Sequence, residues 1–228
     1  LYVSFNDGAN WQQMQLGLPI TPITDLKIHQ GNLIAATMGR AFWILDDLHL
    51  VQQFDQAKKD QLHFFQPKDA YRLSGYSLLN GELSEEDLET PLQDRSGINA
   101  PTGLVLHYQL PSKPDSAMKL SLEIKDSKGN LVRKYSTEPD KDFVGGYAGG
   151  PSPDPTIPAK PGVNRFVWDM RYPPQTGVQD VFIEGGYDGH RAVPGDYTAV
   201  LNDGKQTKTV SFKVLPDPRI VATAKDYE

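Results

Sequence analysis

The chain has 228 residues, of which 38% are hydrophobic and 23% are charged, as in an ordinary globular protein. It has no cysteine, which excludes disulfides and thiolate chemistry, and its formal charge of −6 argues against a nucleic-acid partner. No apolar stretch approaches the ~20 residues that a membrane-spanning helix needs. The 20 glycines and 18 prolines, together with short alternating apolar runs, predict an all-β protein with many turns.

Residues 1–50 contain five strand-length runs separated by turn residues, a spacing typical of a β-propeller blade. The first turn has the pattern Ser-x-Asn-x-Gly-x-x-Trp, which resembles an Asp-box hairpin. We expect Asn6 to accept hydrogen bonds from its own turn, Gly8 to adopt left-handed geometry, and Trp11 to act as an apolar plug. One blade cannot fold alone, so this region predicts a larger protein. The motif residues with a predicted structural role are Ser4, Asn6, Gly8 and Trp11.

Residues 51–98 have the features of a connector. Leu48, Val51 and Phe54 lie at helical spacing, so we expect a short helix that leaves the blade, followed by strands at 62–66 and 70–73. The segment that follows is acidic up to residue 97 and predicts a solvated loop. Its carboxylates also suggest a Ca²⁺ site, although their spacing matches no EF-hand loop.

Residues 99–216 predict a second all-β domain. Apolar residues alternate in about seven short runs that are joined by turns, which predicts an antiparallel β-sandwich of the immunoglobulin type. One of these runs places Phe166, Trp168 and Met170 on the buried face, and Asp169 with Arg171 on the other face as a same-strand ion pair. Residues 217–228 are expected to begin a linker or a helix.

Two loops rich in glycine, the first also rich in proline, at 145–161 and 185–190, interrupt this predicted sandwich. Long loops on a rigid scaffold are common places for binding. Exposed tyrosines in or beside them, Tyr147, Tyr172 and Tyr187, are the best candidates for contact with a carbohydrate or a protein, because their rings are rigid and amphipathic. The interpretation that we favour over ligand contact is that these loops form a lid packed against a propeller.

Two longer motifs carry a resemblance to a known family. The run Gly39-Arg40-Ala41-Phe42-Trp43-Ile44-Leu45-Asp46-Asp47 resembles the end of the last blade in bacterial sortilin-like proteins with Asp-box (BNR) repeats, often labelled glycosyl hydrolases. Ala41 stands where that group usually has Gly. Residues 162–172, with 194–198 and 217–219, resemble the C-terminal sandwich of the same group and the immunoglobulin-like domain of flagellar hook-capping proteins. The resemblance implies structural roles for Gly39, Arg40, Trp43, Asn164, Trp168, Asp169 and Arg171.

The residues give no sign of catalytic chemistry. Asp46 and Asp47 are adjacent, so on a continued strand their carboxylates would point to opposite faces and make a poor glycosidase pair. Arg40 is expected to form a salt bridge or to hydrogen-bond a turn. The five histidines lie at no metal-ligand spacing, and no nucleophile motif or phosphate-binding loop is present. We therefore predict no catalytic residue, no metal and no cofactor.

The resulting hypothesis is a non-catalytic C-terminal region of an exported propeller protein. The sandwich would dock on the upstream propeller, its main partner, and stabilise it; the resemblance implies a secreted, periplasmic or cell-surface location. Two alternatives remain open: the sandwich is a carbohydrate- or protein-binding module, or this chain forms one wall of a hydrolase active site that lies mainly in further blades. Whether the parent protein is an enzyme stays open.

Overall fold

The computed structural model describes residues 1–57, 61–73, 101–111, 119–143, 145, 147, 149–178, 181 and 184–227. The acidic loop and the predicted start of the second domain at residue 99 lie outside the described residues. The described chain is mostly β-strand, as expected for an all-β protein, and none of its helices is long and apolar enough to cross a membrane. The backbone divides into two compact units, with residues 1–56 in the first and the described residues of 57–73 and 102–227 in the second.

The first unit contains a hairpin and a three-stranded sheet. A helix and a 3-10 turn follow, in agreement with the predicted short helix. The bounds are β1 Tyr2–Val3, β2 Gln12–Gln13, β3 Ile23–His29, β4 Asn32–Thr37, β5 Phe42–Leu45, α1 Leu48–Gln53 and the 3-10 turn Phe54–Gln56. The hairpin pairs β1 with β2, and the sheet has the order β3-β4-β5 with all neighbours antiparallel.

The β3-β4-β5 sheet carries apolar side chains on both of its faces. The strand register aligns Leu26, Ala35 and Trp43 across the sheet, and because aligned residues share a face, these three lie on one side. Ile34 is aligned with Ile44 on the opposite side. A sheet with apolar residues on both faces is one that needs cover on both faces.

Both faces of the sheet are only partly covered. Leu1, Met14 and Leu18 of the hairpin region border the same small cavity as Ala35, which is buried. On the other face, Phe42 is 76% exposed and Ile44 is 59% exposed. The described residues therefore leave this second face open.

The second unit contains two sheets. Their strands are β6 His63–Phe64, β7 Ala70–Arg72, β8 Leu104–Leu110, β9 Ser121–Asp126, β10 Leu131–Ser136, β11 Gly162–Trp168, β12 Gly195–Asn202 and β13 Thr207–Pro216. The larger sheet has the order β10-β9-β12-β13-β7, in which the β13–β7 pair is parallel and the other described pairs are antiparallel. The smaller sheet has the antiparallel order β11-β8-β6. A 3-10 turn, Ala224–Tyr227, lies near the end of the chain.

One hydrophobic core is shared by the two sheets of the second unit. Trp168 of the smaller sheet is fully buried, and its ring centroid lies 5.8 Å from that of Tyr197 and 6.1 Å from that of Phe212, both in the larger sheet. Leu106 and Leu122 are likewise fully buried, one in each sheet. The alternating apolar faces thus form a single continuous core, which fixes the loops between their strands.

The end of β11 differs from the prediction. The strand stops at Trp168, and Met170 has a positive φ of 57° although its side chain is completely buried. This reversal takes Asp169 and Arg171 off the strand. The predicted same-strand ion pair is therefore wrong, because the Asp169 Oδ1 atom instead accepts the backbone N–H of Arg171 at 3.0 Å.

Candidate functional site

The turn at residues 4–11 has the hydrogen bonds of a self-contained structural staple. The Ser4 hydroxyl accepts the N–H of Gly8 at 2.8 Å and donates to Asn6 Oδ1 at 3.1 Å. Asn6 Oδ1 also accepts the N–H of Asn10 at 2.9 Å. Gly8 has a φ of +87°, a conformation that favours glycine. These polar groups are used within the turn itself.

Trp11 does not act as the predicted plug. Its ring lies over Gly8, so that a Cβ atom at Gly8 would sit 3.6 Å from it, and the side chain is 63% exposed. An apolar plug needs a surrounding core, and the described residues of the first unit do not provide one at this position.

The motif at residues 39–43 forms a tight turn before β5. Gly39 and Ala41 both have positive φ values, +76° and +61°, so Ala41 occupies a position where glycine is the easier choice. The indole Nε1 of Trp43 donates to the carbonyl of Arg40 at 2.8 Å. Arg40 thus contributes through its backbone, and its exposed side chain makes no ion pair with the described residues.

The adjacent carboxylates at the end of this motif are separated by a break in the strand. β5 ends at Leu45, and Asp47 has a left-handed backbone conformation at the start of α1. Its carboxylate lies 3.9 Å from Nδ1 of His49. Asp46 and Asp47 therefore do not continue the strand, so the opposite-face geometry of a continued strand does not apply to them.

The two predicted loops of the second unit come together around one cavity of about 480 Å³. Segments 149–155, 169–174 and 186–189 line it, together with Arg133 from β10. Its volume lies within the ~300–1,000 Å³ typical of small-molecule sites. This cavity is the candidate functional site, and we call it the loop pocket.

Two walls of the loop pocket are joined by backbone hydrogen bonds. The N–H of Tyr172 donates to the carbonyl of His190 at 2.9 Å, and the N–H of Gln175 donates to that of Tyr187 at 2.8 Å. Gly189 is buried in this contact, and a Cβ atom there would collide with the backbone carbonyl oxygens of Tyr172 and Pro173. The two segments are therefore closely packed although neither contains a regular strand.

The third wall, segment 149–158, is attached to the core and to β10. Ile157 is buried and donates its N–H to the carbonyl of Ser136 at 3.0 Å. The buried hydroxyl of Tyr108 donates to the carbonyl of Pro158, and burial raises the Tyr108 pKa above its usual range. Because all three walls are attached to the scaffold, the pocket needs little ordering before it binds a ligand.

Arg133 of β10 connects two of the three walls, the segments 149–158 and 169–174. Its guanidinium donates to the carboxylate of Asp154 and to the carbonyl of Tyr172, and it lies over the ring of Tyr135. The side chain is only 6% exposed. A β-bulge between Leu131 and Arg133 interrupts the alternation of β10, so that Val132 and Arg133 are both buried.

Arg171 holds a second cationic position in the pocket. Its guanidinium donates to the carbonyl of Gly189 at 2.8 Å and lies 3.6 Å from the carboxylate of Asp188. Burial, followed by the charges of Arg72 and Arg171, lowers the pKa of Arg191. The lining thus carries two arginines and three carboxylates, Asp154, Asp169 and Asp188.

The three tyrosines are less exposed than predicted. Tyr187 is 7% exposed, and its hydroxyl donates to the carbonyl of Val181 at 3.2 Å and lies 3.4 Å from that of Tyr147. Tyr172 is half-buried and stacks on His190, with ring centroids 4.0 Å apart. The prediction of freely exposed rings is wrong, because these tyrosines build the walls. Tyr172 and Tyr187 line the pocket, whereas Tyr147 is not among its lining residues.

Asn164 and Trp168 support the site from β11. The buried amide of Asn164 accepts the N–H of Lys160 at 2.9 Å and donates to the Lys160 carbonyl at 2.8 Å, which fixes the end of the proline-rich segment. The Trp168 indole donates to the carbonyl of Arg171 at 3.1 Å, which fixes the chain after β11.

Sequence reasoning found the loops but not the charged groups that organise them. Arg133 was part of an ordinary strand pattern, and no local signal marks the bulge that buries it. Asp154 and Asp188 lie in loops where solvated carboxylates are common. Within the described residues, no group of histidine and acidic side chains could hold a metal ion.

Comparisons with protein-family models, with curated proteins and with solved structures give no match to this chain.

Proposed function

We propose that this chain is a non-catalytic accessory region of a larger, exported all-β protein of the Asp-box propeller type. In this proposal the first unit contributes the last blade, and the second unit is an immunoglobulin-like sandwich that docks on the upstream propeller and stabilises it. The location would be secreted, periplasmic or cell-surface. The Asp-box turn and the motif around Trp43 support this proposal at the level of sequence.

The open face of the β3-β4-β5 sheet is the observation that carries the proposal. Phe42 and Ile44 stand exposed on a sheet whose other face is already partly covered. Burying such side chains contributes about 1.5–3 kcal/mol each relative to leaving them in water. Blades of a propeller obtain this burial from their neighbours on both faces. A further blade is therefore the kind of partner that fits this sheet.

Footprinting of the natural polypeptide that contains these residues tests the proposal. We expect the Phe42 ring to react with hydroxyl radicals in the 228-residue chain and to be protected in the longer protein. Tyr71, an exposed residue of the second unit, serves as the reference. Equal reactivity of Phe42 in both proteins would contradict a neighbouring blade. Hydrolysis of a glycoside or a peptide by the 228-residue chain would contradict the non-catalytic role.

A second candidate function is a binding module, and the loop pocket favours it. The pocket gathers residues from three loops and one strand and holds them through hydrogen bonds to a rigid scaffold. Such an arrangement suits recognition, since the site is largely formed before binding. A glycan array and a protein pull-down with the 228-residue chain test it, and a variant with a disrupted pocket, Gly189→Ala, provides the matched negative control.

A further inference from the structure

The charges of the loop pocket indicate which ligands it can accept. Arg133 is already bound to the Asp154 carboxylate and to a backbone carbonyl, and Arg171 is bound to the Gly189 carbonyl with Asp188 close by. An anionic group would have to displace a carboxylate from one of these arginines. The lining would oppose it further, because it has one more carboxylate than arginines.

The excess negative charge is too small to define a cation site. The Oδ1 atom of Asp169 already accepts the N–H of Arg171, and its carboxylate interacts electrostatically with Arg191. Arg191 forms a backbone β-bridge with Arg171, and the charges of the two side chains interact, so a further positive charge lies close to the site. An ammonium ligand would meet this charge, whereas an uncharged ligand would not.

The remaining surface suits a ligand with many hydroxyl groups. The carboxylate of Asp188 is 79% exposed and can accept hydrogen bonds, and Arg171, one third exposed, can donate them. A hydroxyl group both donates and accepts, so paired carboxylates and guanidinium groups match it well. Prolines at 151, 153, 155 and 174 supply C–H surface around these polar groups.

We propose that the loop pocket binds an uncharged saccharide, with Asp188 and Arg171 as its main hydrogen-bonding groups. This inference rests on the binding-module candidate and gives it a ligand class. The cavity of about 480 Å³ has room for a short oligosaccharide. Because the site is open and polar, we expect weak binding, with a dissociation constant on the order of 1 mM.

A matched set of trisaccharides tests the proposal on the intact 228-residue chain. The neutral probes are cellotriose, mannotriose and triacetylchitotriose; the charged probes are trigalacturonate and fully deacetylated chitotriose. Binding is followed by ¹H–¹⁵N NMR titration. We expect at least one neutral probe to shift the amide signals of residues 186–189 and both charged probes to bind more weakly. Tighter binding of either charged probe at these residues would overturn the ligand class while leaving a binding module in place.

Two variants locate the site. Asp188→Ala should weaken the binding of the neutral probe by roughly fivefold to tenfold, since it removes an acceptor without disturbing the buried Arg133 pair. Asp196→Ala is the matched control, because Asp196 is an exposed aspartate of the same unit outside the loop pocket. Equal loss in both variants, or no loss in Asp188→Ala, would overturn the assignment of the site. Absence of binding by all five probes would overturn the ligand class, whereas the binding module itself would be overturned only if the protein pull-down were also negative.

Discussion

Two inner strands, β4 of the first unit and β9 of the second, have very different surroundings. Both are six residues long and paired on both edges. In β9, Leu122 and Ile124 are completely buried, whereas in β4 only Ala35 is buried. The difference lies in what covers the sheets, because β9 faces a second sheet whereas, among the described residues, β4 faces a short hairpin region on one side. An apolar pattern can therefore define a strand without supplying the core that stabilises it.

The two tryptophans at 168 and 11 provide the strongest contrast between the units. We expect Trp168→Ala to lower the free energy of unfolding by about 3–5 kcal/mol, because it leaves a large cavity in the shared core. Trp11→Ala should change it by less than ~1 kcal/mol, since its ring is mostly exposed. Urea unfolding followed by circular dichroism measures both. Similar losses in the two variants would break the contrast.

Removing one or the other partner of the Arg133–Asp154 ion pair should lower the free energy of unfolding by different amounts. Arg133 is almost fully buried, while the Asp154 side chain is one third exposed. Asp154→Asn leaves a buried guanidinium without its counter-charge, so we expect a loss of about 2–3 kcal/mol in unfolding free energy. Arg133→Met should cost less, because Asp154 can regain water. Denaturant titrations of both variants test the order, and a larger loss for Arg133→Met would contradict it.

Because the pocket walls are closely packed, we expect the stability of the second unit to depend strongly on Gly189. Gly189→Ala should destabilise the second unit by about 1–3 kcal/mol, because the added methyl group collides with backbone that cannot move freely. Gly185→Ala is the control, since a Cβ atom there meets nothing within 4 Å. Thermal unfolding distinguishes the two. If both variants have the same melting temperature as the unchanged chain, the segments are not packed as described.

The Asp-box turn should have only a local effect. Asn6→Ala removes the acceptor for the Asn10 N–H, so we expect exchange of that amide to be roughly fivefold faster, with little change in global stability. Asn6→Asp keeps the acceptor and should retain the protection. Hydrogen exchange measured by NMR gives both results. A global loss of stability in Asn6→Ala would assign the turn a larger role than its exposure allows.

The sequence predicted strands well and their surroundings less well. The alternation at 103–110 gave β8 to within one residue, because half-buried strands carry that signal directly. The burial of Arg133 could not be predicted, since it depends on a bulge that shifts the register with β9. The loop pocket could not be predicted either. It forms where two loop segments pair through backbone hydrogen bonds, and this pairing depends on tertiary contacts. The hairpin motif predicted that Trp11 is buried. That prediction failed because the motif does not show whether a neighbouring element is present to cover the ring.

Hydrogen exchange of the two inner strands β4 and β9 in the 228-residue chain tests the central claim most directly. If the first unit lacks the cover that its sheet requires, the amides of β4 should exchange at least ~100-fold faster than those of β9, although both strands are hydrogen-bonded on both edges. Equal protection of β4 and β9 would contradict the account, because it would show that the first unit is stable without a further blade.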